Sequence, residues 1–217
     1  MKFLFLDTET TGLQKDSDNF LGDEVIQIGG VLADDNLTPI KVFDYLCDTT
    51  KTSINKQAEK LHGISIQFLR EQVRDIYLEE VLHTRLQEIF SDEDMIVVGH
   101  NILFDIEMIQ QTMRDCMIKP EFGKEVEPPL LPKHGRHYID TMPYFMRRTP
   151  KGTFRQKLST IASKYQNSFD KFLDTTPATV FDTNYERCSS LAFHNALVDS
   201  IYCYVIFKDA LWKTKLL

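Results

Sequence analysis

Three short segments of this 217-residue chain hold acidic side chains at spacings that could bring them to work together. The first is Asp7-Thr8-Glu9-Thr10-Thr11-Gly12, which directly follows the apolar run Phe3-Leu4-Phe5-Leu6. Asp7 and Glu9 are two apart, so on an extended chain both carboxylates point to one face. Two like charges held on one face repel each other unless something positive lies between them. Hard carboxylate oxygens of this kind suit Mg²⁺ or Mn²⁺. The second segment is Gly99-His100-Asn101-Ile102-Leu103-Phe104-Asp105, and the third is His194-Asn195-Ala196-Leu197-Val198-Asp199.

Each segment alone also has a plain structural reading. Asp, Thr and Gly close strands and make turns, so an isolated Asp-x-Glu is more often a turn cluster than a metal site. Asp105 falls in the first turn of a helix, where a carboxylate is favoured as a cap or by the helix N-terminus. His194 and Asp199 would stand about 140° apart on a regular helix and would not share a face. His194 is therefore placed at or before the helix start. What favours chemistry is the shared location, because strand ends of one sheet tend to gather functional groups at a common edge.

The elements that must position these groups are legible in outline. Residues 2–7, 24–33 and 39–47 read as strands, with Gly29 and Gly30 hinting at a bulge or a close backbone approach. The short connection between the first two favours antiparallel neighbours. Helical pieces are expected at 54–61, 65–73 and 76–90, and a short buried strand at 95–99 precedes a helix from about 103 to 117. Residues 118–135 hold four prolines (Pro120, Pro128, Pro129, Pro132) and read as a loop or insertion. A strand fits 136–140, helices fit 141–147 and 156–165, and a last helix runs from about 192 to 212. The order predicts an α/β domain with a mixed sheet, antiparallel at first and parallel later.

Composition sets the outer limits. The length suits one domain, and the 42% hydrophobic content is ordinary for a globular protein. No stretch approaches the roughly 18 apolar residues of a membrane span, and the apolar start is too short for a signal peptide, so a soluble, cytoplasmic protein is expected. Cys47, Cys116, Cys188 and Cys203 form no close pair and are assigned no chemistry. The net charge of −7 argues at first against a nucleic-acid partner. Between Lys133 and Lys157, however, Lys133, Arg136, Arg147, Arg148, Lys151, Arg155 and Lys157 face a single acid, Asp140. Such a stretch could follow a phosphate backbone or simply be a solvated basic surface.

Taken in order, DTETTG, GHNILFD and HNALVD resemble the three motifs of the DEDDh 3′–5′ exonucleases. That family includes the proofreading subunit of bacterial replicative DNA polymerases, RNase T and oligoribonuclease. Supporting matches are Leu61-His62-Gly63-Ile64, Ile139-Asp140-Thr141 and Lys157-Leu158-Ser159. The resemblance implies a ribonuclease-H-like fold, with a five-stranded mixed sheet flanked by helices. It implies a single exonuclease domain over 1–217, with loop insertions near 118–135 and 166–190.

By the same resemblance, Asp7, Glu9, Asp105 and Asp199 would hold two divalent ions, Mg²⁺ or Mn²⁺, with His194 as general base. Thr10, Gly12 and Leu13 would meet the terminal nucleotide, and His100 and Asn101 would support the second loop. Phe104 is a further substrate candidate or a core residue, and His62 is open between a structural and a substrate-facing role. The implied reaction releases nucleoside 5′-monophosphates from the 3′ end of nucleic acid, with single-stranded or mispaired DNA ends as the preferred substrate. RNA 3′ ends are the alternative, and a non-catalytic nucleic-acid-binding module is the rival from another class. A DNA polymerase or another delivering protein is a possible partner. Two bound divalent ions would also reduce the formal charge from −7 to −3.

Overall fold

Alternation along the first strand sorts the whole molecule into two layers. The computed structural model describes residues 1–13, 22–113, 122–125, 137–149, 152–184 and 194–212. Strands β1 (Lys2–Thr10), β2 (Val25–Ala33) and β3 (Pro39–Leu46) form an antiparallel meander. Short helices α1 (Lys56–His62), α2 (Ile66–Gln72), α3 (Leu78–Thr84) and α4 (Gln87–Phe90) follow. Then come β4 (Met95–Gly99), α5 (Ile102–Thr112), β5 (Lys124–Glu125) and β6 (His137–Asp140). A 3-10 turn at Met142–Phe145 leads into the hairpin of β7 (Met146–Thr149) and β8 (Gly152–Arg155). The described chain continues with α6 (Leu158–Ala162), α7 (Gln166–Thr175), β9 (Phe181–Thr183) and α8 (Ala196–Ile206), the last extended by a π-helical segment, Phe207–Trp212.

The main sheet has the order β5-β6-β4-β1-β2-β3-β9. Strands β1, β4 and β6 are parallel, so their carboxyl ends reach one edge together. The fold is therefore α/β with a mixed sheet flanked by helices, as expected, but with seven strands among the described residues rather than five. The two extra strands are the outermost pair, β5 and β9, only two and three residues long. Strands that short leave no alternation to read in a sequence.

Odd-numbered residues of β1 face α8: Phe3 and Phe5 share a core with Leu197, Val198, Ile201 and Phe207. Even-numbered residues face the other way, where Leu4 and Leu6 pack with Ile102, Ile106 and Ile109 of α5. The π-helical segment brings Trp212 and Phe207 against the Phe3 ring. A smaller cluster under α1 and α2 includes Ile26, Leu46, Ile54, Ile64 and Leu69. Cys47 and Cys203 are buried free thiols; Cys116 and Cys188 lie outside the described residues.

Several boundaries differ from the sequence expectation. The helix expected over 76–90 is broken at Arg85-Leu86, and the second piece carries Ile89 and Phe90 into the core. The helix expected over 141–147 is instead the 3-10 turn and the first strand of the hairpin. Thr149-Pro150-Lys151-Gly152 holds the turn residues that carry that signal. Within 166–190, the described residues form α7, a 3-10 turn at Ala178–Val180 and β9. Within 118–135, residues 118–121 and 126–135 lie outside the described residues. No helix among the described residues is long and apolar enough to cross a membrane.

The glycine pair has a concrete role. A Cβ built on Gly29 would stand 2.3 Å from the Leu197 amide nitrogen and 2.4 Å from the Ala196 carbonyl carbon. The first turn of α8 rests directly on β2 at this point, and both obstructing atoms are backbone. Gly29→Ala must push helix and sheet apart, which we expect to lower stability by about 1–3 kcal/mol. A urea unfolding midpoint equal to that of the wild type would show that the contact is soft.

Candidate active site

β1 runs three residues beyond the expected Asp7, and its extended backbone carries both acids onto the α8 side. A register shift between Glu9 and Thr10 ends the regular pairing with β2 just past the second acid. Across β2, Asp7 pairs with Gly29 and Glu9 with Gln27. With no side chain at Gly29, the first turn of α8 drops close enough to bring Asp199 beside the strand acids. Asp7, Glu9 and Asp199 each offer a carboxylate oxygen, and these atoms lie within 4.8 Å of one another.

Asp105 enters from the opposite layer. β4 pairs with β1 only as far as Phe5, so the outer edge of β1 is open beyond that point. Asp105 fills the opening. Its Oδ1 accepts from the Thr8 amide at 2.9 Å and from the Thr8 hydroxyl at 2.8 Å. Asp105 is not part of the three-oxygen group, but its charge acts on both Asp7 and Glu9. The two helix-borne acids are placed alike. Each stands four residues after an asparagine at the helix start, Asn101 for α5 and Asn195 for α8.

Burial is the main cause of raised carboxyl pKa values throughout the site. It lifts Asp7 well above the ordinary range, and repulsion from Asp105, Asp199 and Glu9 lifts it further. Glu9 is raised by burial, then by Asp199 and Asp105. Burial pushes Asp105 up to about 7 against the pull of the Thr8 hydrogen bonds. Asp199 is likewise raised to about 7 by burial, opposed by the His194 backbone amide that hydrogen-bonds to it. Its Oδ1 is buried with no hydrogen-bond partner. A buried carboxylate oxygen left without a donor, beside two more acids, fits a divalent cation held by oxygen ligands.

His194 precedes α8, as the spacing argument required, and its φ of 64° puts it in the left-handed region. Asn195 caps the helix by accepting from the Val198 amide. His194 is half-buried and close enough to His62 for its charge to act on that ring. His62 itself is a brace. Ile64 N–H donates to its Nδ1 at 3.0 Å, so the proton sits on Nε2 and is directed to the Thr10 carbonyl at 3.2 Å. Burial pushes its pKa down to about 4, which keeps the ring neutral.

The other residues expected at the substrate have distinct placements. Thr10 is buried, and its hydroxyl donates to the Gly12 carbonyl at 2.5 Å. Gly12 lies against the Asp23 carboxylate, which a Cβ would meet at 2.4 Å. Leu13 is 77% exposed, an apolar side chain offered to solvent three residues past the end of β1. Phe104 is partly buried against the α5 core. Asn101 has a left-handed backbone, and its amide donates to Asp140 Oδ1 at 2.9 Å. His100 is committed on both nitrogens: Nε2 lies 2.8 Å from the Gln156 carbonyl, and Nδ1 lies 3.1 Å from the Thr141 hydroxyl.

Two supporting residues escaped the sequence reading. Thr8 holds Asp105 in place. Gln27 accepts from the Ala196 amide at 3.3 Å and donates to Asp44 at 2.8 Å, fixing the start of α8 against the sheet. The readable signal for Gln27 was a single uncharged polar residue inside the otherwise apolar run of β2.

A protein-family model described as exonuclease, RNase T, matches residues 4–172. The chain belongs to the RNase T exonuclease family. The match includes the segments bearing Asp7, Glu9 and Asp105; the fold itself brings His194 and Asp199 to them. Among solved structures, the chain is similar to Escherichia coli exonuclease I in complex with a dA16 oligonucleotide. That likeness has a TM-score of 0.61 at 15% identity and covers 95% of this chain and 41% of that one. A zinc-bound complex of the same E. coli enzyme with single-stranded DNA gives 0.60 at 16% identity, covering 99% of this chain and 40% of that one. Exonuclease I from Methylocaldum szegediense gives 0.58 at 17% identity, with 96% and 41% covered. The chain thus spans about two fifths of the length of these structures. A search of curated proteins gave no match.

The raised carboxyl pKa values set a pH dependence for the metal-free exonuclease domain. A group whose folded pKa lies above its unfolded value stabilises fully below the unfolded value, about 4 for an aspartate, and loses that contribution as pH rises through the folded value. For Asp199 the window runs up to about 7. In chelator, Asp199→Asn should therefore unfold at higher temperature than wild type at about pH 8. That gap should close as pH falls to about 4. Calorimetry at both pH values tests this, and a variant less stable than wild type at the higher pH would contradict it.

Proposed function

We propose that this member of the exonuclease family is a divalent-metal-dependent 3′–5′ exonuclease that removes nucleoside 5′-monophosphates from single-stranded DNA ends. The observation that carries the reading is the convergence of Asp7, Glu9 and Asp199 around an oxygen with no donor. A phosphodiester is an anion, and four acids without counter-charge would repel it. Bound divalent cations would reverse that sign, polarise the phosphate and lower the pKa of a coordinated water. Asp7, Glu9 and Asp199 would hold such ions, with Asp105 beside them, and two ions in Mg²⁺ or Mn²⁺ form suit this oxygen-only donor set.

The remaining steps fall to the chain's own side chains. His194, carried ahead of α8 on a left-handed backbone, accepts a proton from the attacking water at an imidazole nitrogen. Neutral His62 beside it places no fixed positive charge against that transfer. Leu13 gives the terminal base an apolar surface, and Thr10 and Gly12 shape the turn behind it. His100 and Asn101 act from behind the site, through the Gln156 and Asp140 contacts. DNA is favoured over RNA because the exonuclease I structures include complexes with DNA oligonucleotides; a polymerase partner finds no support there.

Digestion of 3′-labelled and 5′-labelled strands, as DNA and as RNA, tests polarity and substrate together. Label at the 3′ end should be released first as mononucleotide, and the activity should vanish in chelator and return with Mg²⁺ or Mn²⁺. His194→Ala should lower kcat by roughly 10²–10⁴-fold, the usual range for a general base. Asp7→Ala should abolish metal-dependent turnover. Wild-type rates in either variant would place the chemistry elsewhere.

A further inference from the structure

The β7–β8 hairpin is a two-stranded sheet apart from the main one, and the mechanism above makes no use of it. Its sequence is unlike the rest of the molecule. From Thr141 to Lys157 there are five basic residues, Arg147, Arg148, Lys151, Arg155 and Lys157, and no acid, in a chain whose net charge is −7. On β8, Phe154 is a large aromatic residue with 51% of its surface exposed. Arg155 and Lys157 beside it are exposed as well, and Arg147 occupies the register position opposite Phe154.

The hairpin is also joined to the site. Directly after β8, the Gln156 carbonyl accepts from His100, the residue before Asn101 and the helix that carries Asp105. A strand whose 3′ end lay at the acids would find this hairpin connected to the same edge. Alternating cationic and aromatic side chains are how single-stranded nucleic acid is gripped without regard to sequence: the cations follow the phosphates and the ring stacks on a base. Stacking requires a base with an open face, which a duplex does not offer.

We propose that the β7–β8 hairpin is a grip for single-stranded nucleic acid, with Phe154 stacking on a base behind the 3′ end and Arg155 and Lys157 bound to neighbouring phosphates. The proposal rests on the exonuclease reading for its orientation. Its test reads binding separately from turnover.

Binding of a labelled strand of about 20 nucleotides, as DNA and as RNA, is measured by anisotropy with Ca²⁺ replacing Mg²⁺. Phe154→Ala should weaken binding roughly tenfold, and Phe154→Trp should restore it. Arg155→Ala with Lys157→Ala should reduce the slope of log K against log salt by about 1.4, two single-strand phosphate contacts. Hydrolysis of the p-nitrophenyl ester of thymidine 5′-monophosphate, too small to reach the hairpin, should be unchanged in all three.

Equal affinity of Phe154→Ala and wild type for the strand would overturn the grip. So would competition by polyglutamate as strong as by an unlabelled strand, since the hairpin would then be a general polyanion surface. Parallel loss on the small ester would overturn it too, by showing that the hairpin acts on the geometry of the acids. A wild type that binds the strand through Phe154 but hydrolyses neither substrate would overturn the exonuclease reading and leave the grip standing.

Discussion

The approach of α8 to β2 at Gly29 is the constraint on which the rest of the site depends. Two backbones meet there with no room for a methyl group, and the contact decides how far Asp199 can reach toward the strand acids. Gln27, two residues before Gly29 on the same face, ties the Ala196 amide to the sheet and stops the helix start from sliding. Ten of the eleven residues of α8, all but Asp199, are buried and hold the helix down along its length. The apolar packing fixes the helix, and the glycine fixes the closest distance.

What that distance creates is electrostatically unfavourable on its own. Hydrophobic burial and hydrogen bonding hold four acids in a region where burial pushes their pKa values upward, and repulsion from the other acids adds to it at Asp7 and Glu9. Thr8 offsets part of this cost at Asp105, and the His194 amide does the same at Asp199. The strand acids are left to each other. The acids cost stability at this edge, and in the proposed reading bound divalent cations would offset that cost.

Most of the site was legible in the sequence because its signals are local. Strand alternation put Asp7 and Glu9 on one face, a strand followed by a helix placed Asp105, and the mismatch between a helical turn and its spacing to Asp199 put His194 ahead of the last helix. That these residues act together came from the resemblance of the three motifs, since each alone also reads as a turn, a cap or a surface residue. The Gly29-Gly30 pair announced a close approach before its partner was known. The supporting residues could not be read the same way. Thr8 matters because β4 stops at Gly99, and Gln27 matters because α8 lies above it; both facts depend on residues ninety or more positions away. His100 and His62 carry motif positions, yet their rings are engaged by the Gln156 carbonyl, the Thr141 hydroxyl and the Thr10 carbonyl, which only the folded chain brings near. The short edge strands and the β7–β8 hairpin were hidden for a simpler reason: elements of two to four residues have no period.

The alternation of β1 has one more consequence. Odd positions hold Phe3, Phe5, Asp7 and Glu9; even positions hold Leu4, Leu6 and Thr8. The parity that assigns each phenylalanine to the α8 core also assigns the acids to the α8 side, so chemistry and core share a single counting rule. Inserting or deleting one residue between Phe3 and Asp7 would not merely shift the site along the strand. It would exchange the two faces, turning Thr8 toward Asp199 and burying Asp7 and Glu9 against the apolar side of α5. A change of length in this strand would therefore disturb both faces at once, and the acidic edge depends on the same frame that keeps the two cores apart.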